Sequence, residues 1–166
     1  MRARNDGQAL VEFVLLFPLV LVIILFVIEF GFALHTHITI NGAAREAARF
    51  AAVANLPSAS PGTCDSDSIE ERAVASSTSI ADCDEVAVGY IEQNGAPEFS
   101  RGDGVVVRIS HTYEAKTPLV ALMSVVSFGT VPSSFQVFAC ADARLEGQPS
   151  DQTPLIDITS TDGDCG

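Results

Sequence analysis

One long apolar stretch near the amino terminus limits what this chain can fold into. From Phe13 to Leu34 the apolar sequence is interrupted only by Pro18, Glu29 and Gly31. A helix needs ~20 apolar residues to cross the hydrocarbon core of a bilayer, and this stretch has that length. The sequence therefore predicts one transmembrane helix.

The same helix is predicted to continue beyond the membrane to about residue 54. Six alanines there recur at helical spacing and form one smooth strip, which Arg45, Glu46 and Arg49 avoid: Ala43, Ala44, Ala47, Ala48, Ala51 and Ala52. Small residues let another backbone approach closely. Alanine is also the best helix former, which is the simpler explanation. Because the charges avoid the strip, we favour packing, along a rod ~70 Å long at 1.5 Å per residue.

A carboxylate stands at the start of the apolar stretch. Glu12 follows Gly7 by five residues and directly precedes Phe13. An ionised side chain inside a spanning helix costs about 2.5–3.5 kcal/mol on insertion scales, so its presence needs a physical reason. Cleavage after Gly7 would expose an α-amine on Gln8, and in low dielectric that cation could pair with Glu12 of a neighbouring subunit and set the register of apolar helices. The alternative is an interfacial glutamate in an ordinary signal anchor.

Two parts of this region resemble a known family. Gly7 followed by Glu12 and Phe13 ahead of the apolar stretch is similar to the leader-cleavage signature of type IV prepilins, in the form used by Flp (Tad) pilus subunits. The strings IEFGFAL, residues 28–34, and NGAAREAARFAAV, residues 41–53, resemble the TadE-like family of minor pilins or pseudopilins. The resemblance covers the first third of the chain.

The resemblance implies a processed subunit of a pilus assembly system. Residues 1–7 would be a leader that a prepilin peptidase removes on the cytoplasmic side, and the implied partners are that peptidase, other pilins, the pilus platform with its secretion ATPase, and membrane lipid. Subunit assembly is expected to involve the alanine strip together with Gln8, Glu12, Phe13 and Glu29. The chain would be a single-pass protein of the cytoplasmic (inner) membrane, with its amino terminus inside and its head outside, and would either stay there or be extracted into a pilus.

Two other fates of the chain remain open from the residues alone. The chain could stay uncleaved, as a bitopic membrane protein whose head binds an extracellular ligand. Alternatively, Gly31 and Ala33 make a small-x-small pattern, and signal peptidase cleavage after Ala33 would release a soluble exported domain. The apolar region is about twice as long as a signal-peptide core, which disfavours the last interpretation.

All the cysteines follow the apolar stretch, and their number is even: Cys64, Cys83, Cys140 and Cys165. This arrangement predicts two disulfides in an oxidising compartment. The spacings lack the close pairs of a metal site. Of the three possible pairings we favour Cys64 with Cys83 and Cys140 with Cys165, because each closes a local loop.

Charge and missing motifs argue against several function classes. The chain has a net charge of −12, which repels phosphate backbones and disfavours nucleic-acid binding. Neither a nucleophile elbow nor a phosphate-binding loop is present, and His35 and His37 would point to different faces of a helix. We therefore expect no enzymatic activity, no cofactor and no metal site.

The remainder of the chain predicts a small α+β head. Ser68 and Glu71 resemble a capping box that would start a helix over residues 68–81. Three strands are expected at residues 84–92, 104–114 and 135–146, the last two as antiparallel neighbours, with a short apolar helix after Pro118. The second half of the long helix should pack against this sheet. The predicted organisation is a leader at 1–7, the long helix at 8–54, the head at 55–146 and an acidic polar tail at 147–166.

Overall fold

The computed structural model describes residues 6–53, 62–91, 101–118, 120 and 134–146. The order of elements is α1 (Asp6–Ala52), α2 (Ile69–Ser76), a 3-10 turn (Cys83–Glu85), β1 (Val86–Ile91), β2 (Gly104–Glu114) and β3 (Ser134–Arg144). The predicted α+β class, with a long apolar helix and a small antiparallel sheet, is confirmed. Most of the leader, the loop after α1, most of the link after Pro118 and the tail lie outside the described residues.

The chain divides into two compact units. One contains Met1–Leu34 together with Tyr113–Phe135, and the other contains His35–Thr112 together with Gln136–Gly166. In the first unit, most large apolar side chains of α1 are exposed, and the most apolar window of the helix has a mean hydropathy of 3.2 with none of it buried. By length and composition, α1 is the one helix among the described residues that could cross a membrane.

The alanine strip lies in the core of the second unit. Its six members are each at most 7% exposed, alongside other buried apolar residues such as Ile40, Ile69, Val107 and Ile109. The end of α1 is tied into the same unit by a hydrogen bond that the Glu146 N–H donates to the Ala52 carbonyl, at 2.7 Å. The strip therefore packs inside its own chain. The predicted contact of the strip with another subunit stays a prediction.

The sheet has the order β1-β2-β3, so the predicted neighbour relation of the last two strands is confirmed. β1 pairs antiparallel with β2, from Val86 opposite Ile109 to Ile91 opposite Gly104. β1 begins at Val86 rather than at residue 84, because the preceding residues form the 3-10 turn. Four consecutive residues of β2 are buried, from Gly104 to Val107, so the start of this central strand is covered on both faces and departs from simple alternation.

α2 begins at the predicted cap, but it ends earlier than the sequence predicts. The Ser68 hydroxyl accepts a hydrogen bond from the Glu71 N–H at 3.1 Å, while the Glu71 carboxylate accepts one from the Asp67 N–H at 2.6 Å. The helix ends at Ser76, five residues short of the prediction, because Thr78 and Ser79 adopt positive φ angles of 54° and 60° that a right-handed helix does not allow.

Two cross-links hold α2 in the second unit. Cys64 and Cys83 form a disulfide with an S–S distance of 2.01 Å, which is the first of the two pairings favoured from the sequence. Cys165, the partner predicted for Cys140, lies outside the described residues. The Arg72 guanidinium pairs with the Glu46 carboxylate at 2.7 Å, and this hydrogen bond holds the pKa of Glu46 below its usual value.

Candidate assembly site

The predicted cleavage position lies within α1. The described helix covers Asp6–Ala52, so the peptide bond between Gly7 and Gln8 is part of it. Gly7 is exposed, and among the described residues no group outside its own helix turn lies within 4 Å of where a Cβ would be added. Packing within this structure therefore does not account for glycine at position 7.

One turn further along, Glu12 stands on an exposed apolar surface. Its carboxylate accepts a hydrogen bond from the Gln8 side-chain amide at 3.2 Å, the spacing of helical i,i+4 neighbours. Phe13 is 64% exposed and its ring lies 5.6 Å from that of Phe17. Four predicted assembly and cleavage residues, Gly7, Gln8, Glu12 and Phe13, thus fall within the first two turns of one helix.

The only other charged side chain in residues 8–34 is Glu29, and it is used differently. Its carboxylate accepts three hydrogen bonds from the segment that ends β2 and follows it: from the Tyr113 hydroxyl at 2.6 Å, from the Lys116 N–H at 3.1 Å and from the Thr117 N–H at 2.8 Å. All four residues belong to the same compact unit. The Lys116 ammonium also lies 5.9 Å from the centre of the Phe32 ring.

These contacts give Glu29 partners inside its own chain, and the subunit-contact role that the sequence suggests for it stays a prediction. The carboxylate is satisfied inside its own chain by donors 84 to 88 residues away, a distance across which no local pattern could reveal them. Glu12, in contrast, has one described donor, and that donor is neutral. Of the two carboxylates in the apolar half of α1, Glu12 is therefore the one left for an external cation.

Both tyrosines of the chain are expected to ionise at unusually high pH. Burial, with a contribution from the charge of Glu70, raises the pKa of Tyr90 to about 12. Burial, together with the hydrogen bond to Glu29, raises the pKa of Tyr113 to about 12. A raised phenol pKa stabilises the folded state fully below the unfolded value of 10.0, and that stabilisation is lost as the pH rises towards 12.

A spectrophotometric titration of the full chain in detergent micelles checks this expectation. Tyrosinate absorbance should appear near pH 12 and not near pH 10, and unfolding midpoints should fall across that interval. The denatured chain is the internal control and should titrate at its ordinary value. A folded chain whose tyrosines both titrate near pH 10 would contradict the burial described here.

Within the described ranges, no group of three or more His, Cys, Asp or Glu side chains is placed to hold a metal ion. His111 is partly buried, and its Nδ1 lies 2.8 Å from the Glu85 carboxylate. This contact gives the imidazole ring, which lies on strand β2, a hydrogen-bond partner within the chain. The expectations of no enzymatic activity and no cofactor stay predictions.

Comparison with known proteins bears on the helix alone. The family model described as TadE-like protein matches residues 7–49, and no curated protein and no solved structure matches the chain. The matched range includes Gly7, Glu12 and Phe13, all of the apolar stretch and four of the six strip alanines. The resemblance to the TadE-like family is confirmed, and the segment from Gly7 to Arg49 is similar to TadE-like proteins.

Proposed function

We propose that this chain is a membrane-anchored minor pilin or pseudopilin that is processed after Gly7 and takes part in assembling or initiating a Flp (Tad) type IV pilus. The family match and the exposed apolar helix support the broader description of a membrane protein associated with the Tad pilus. The observation that carries the finer proposal is Glu12, a carboxylate on an exposed apolar surface with one neutral donor.

The proposed mechanism uses the charge that processing creates. Removal of residues 1–7 by a prepilin peptidase leaves an α-amine on Gln8, one helical turn from Glu12. Apolar helices can slide past one another, because dispersion contacts have little directional preference. An amine of one subunit paired with Glu12 of the next fixes a single stagger, and in low dielectric an unpaired charge is strongly disfavoured.

The proposed location follows from the helix and the disulfide. The chain lies in the inner membrane as a single-pass protein, with its amino terminus in the cytoplasm and its head outside. The Cys64–Cys83 disulfide supports an oxidising compartment for the head. The proposed partners are the prepilin peptidase, other pilins and the pilus platform proteins, and the role is structural, with no catalytic residue.

Amino-terminal sequencing of the membrane-extracted protein tests the proposal. A chain that begins at Gln8 supports it, whereas a start at Met1 indicates the uncleaved bitopic protein and a start at Leu34 indicates export after signal peptidase cleavage. The control is Gly7→Leu. Because a side chain at position 7 meets open space, this variant should fold normally yet keep Met1, so that loss of cleavage reports recognition by the peptidase.

A further inference from the structure

A groove with two arginines lies in the second unit, where the residues after β3 meet the turn before β2. It has a volume of about 430 Å³ and is lined by Arg101, Gly102, Arg144, Leu145 and Glu146. We propose that this groove binds the carboxylate groups of an acidic peptide segment on a neighbouring protein subunit. The proposal is independent of processing after Gly7.

The floor of the groove is held by backbone hydrogen bonds. The Gly102 N–H donates to the Leu145 carbonyl at 2.9 Å, and the Leu145 N–H donates to the Asp103 carbonyl at 2.8 Å. Gly102 has a φ angle of 105°, which strains any residue with a side chain. A Cβ there would lie 3.5 Å from an Nη atom of Arg144, an ordinary van der Waals distance, so the guanidinium lies directly beside Gly102.

Each of the two guanidinium groups is held in place by a hydrogen bond from its own Nε atom. Arg144 Nε donates to the Gly102 carbonyl at 2.9 Å, and Arg101 Nε donates to the Glu146 carbonyl at 2.5 Å. Neither arginine forms an ion pair with another described residue, and both are exposed. Their terminal nitrogens are thus held in a defined direction, which reduces the side-chain entropy lost on binding.

The charge of this groove differs from that of the remaining chain. After Phe50 the chain has five basic residues, and the other three already have contacts: Arg72 pairs with Glu46, Arg108 lies over Phe138, and Lys116 lies over Phe32. Arg101 and Arg144 together outweigh the one exposed carboxylate of the lining, that of Glu146. The groove is a local positive site on an acidic protein.

This pattern of charge favours a short acidic peptide over an extended polyanion. The net charge of −12 repels nucleic acid and anionic membranes, whose charge extends over many Debye lengths. A short segment can place one or two carboxylates in the groove without approaching the acidic surface. The planar carboxylate also matches the guanidinium fork, in a bidentate contact. The exposed Asp65, Asp67 and Glu71 of this chain are an example of such a segment.

The test measures binding of a peptide to the full chain in neutral detergent micelles. The probe is DSDSIEE, which copies residues 65–71, labelled with an uncharged dye and followed by fluorescence anisotropy at low salt. The matched control peptide is NSNSIQQ, in which every carboxylate is an amide. We expect the acidic peptide to bind at least about tenfold more tightly than the amide peptide.

Variants locate the binding site. The double variant Arg101→Gln with Arg144→Gln should weaken binding of DSDSIEE by about tenfold or more, whereas Arg72→Gln, an exposed arginine outside the groove, should leave it nearly unchanged. The double variant Arg101→Lys with Arg144→Lys keeps the charge but loses the planar guanidinium groups. Its affinity for DSDSIEE should lie between those of the natural chain and the double glutamine variant. If the double glutamine variant does not fold, the difference in affinity between the two peptides for the natural chain still tests the proposal.

Three results would overturn the proposal. These are equal affinity for the acidic and amide peptides, undiminished binding by a folded double glutamine variant, and tighter binding to DNA than to the acidic peptide. None of them changes the amino-terminal sequence of the mature chain, so this test and the test of the proposed function fail separately.

Discussion

Glu12→Ala is expected to leave membrane insertion and removal of residues 1–7 intact and to abolish co-purification with pilus components. The variant loses the proposed partner of the Gln8 α-amine of the next subunit, so that amine stays unpaired in low dielectric. Its apolar surface is otherwise unchanged, and the chain should still be recovered from the membrane fraction. The measurement is affinity capture of the variant from membranes, with quantitative detection of the other pilins and the platform proteins.

Glu29 provides the matched control. Glu29→Gln removes the other carboxylate of the same apolar segment, but that carboxylate is used inside the chain by Tyr113, Lys116 and Thr117. This variant should keep its pilus partners, although its own unit is weakened. Glu12→Gln, which keeps the shape and loses the charge, should behave like Glu12→Ala. Co-purification of Glu12→Ala at the natural level would rule out the pairing mechanism.

Ala47→Leu is expected to lower the free energy of unfolding of the head by ~1–3 kcal/mol, because added methylenes in a packed core force neighbouring side chains and backbone to shift. Ala47 is 0% exposed. Chemical denaturation of the full chain in micelles, followed by far-ultraviolet circular dichroism or tyrosine fluorescence, measures the change.

The control for this variant is Ala75→Leu, the same substitution at an exposed position of helix α2. It should change the free energy of unfolding by less than ~0.5 kcal/mol. If both variants unfold at the same denaturant concentration as the natural chain, the strip is not tightly packed. That result would favour the predicted contact of the strip with another subunit.

Features of the fold that depend on local pattern could be predicted from the sequence. The length of α1 follows from an apolar stretch that continues into an alanine-rich one, and the cap at Ser68 from a serine three residues before a glutamate. β2 and β3 follow from their alternation, although local pattern did not reveal that the start of β2 is covered on both faces. That β2 and β3 are neighbours was also predictable, since the link between them returns the chain.

Contacts between distant residues could not be predicted in this way. The partners of Glu29 and the pairing of Glu46 with Arg72 depend on how the chain folds back, and no spacing rule connects residues 26 to 88 positions apart. In the sequence, Arg101 and Arg144 likewise contribute only to the net charge. The folded backbone is what brings them to the same groove. For the same reason, the sequence alone does not show whether the alanine strip packs inside the chain, against another subunit, or both.

Gly7 lies within α1, and under the proposed processing this position has a consequence for the timing of maturation. A protease needs its scissile bond extended in the active-site cleft, so a bond within a helix must fray before it can be cut. Glycine makes this fraying easier, because it costs about 1 kcal/mol relative to alanine in a helix. Helix–coil relaxation takes ~0.1–1 μs, so the leader would open many times during one encounter with the enzyme, while the remaining helix stays wound.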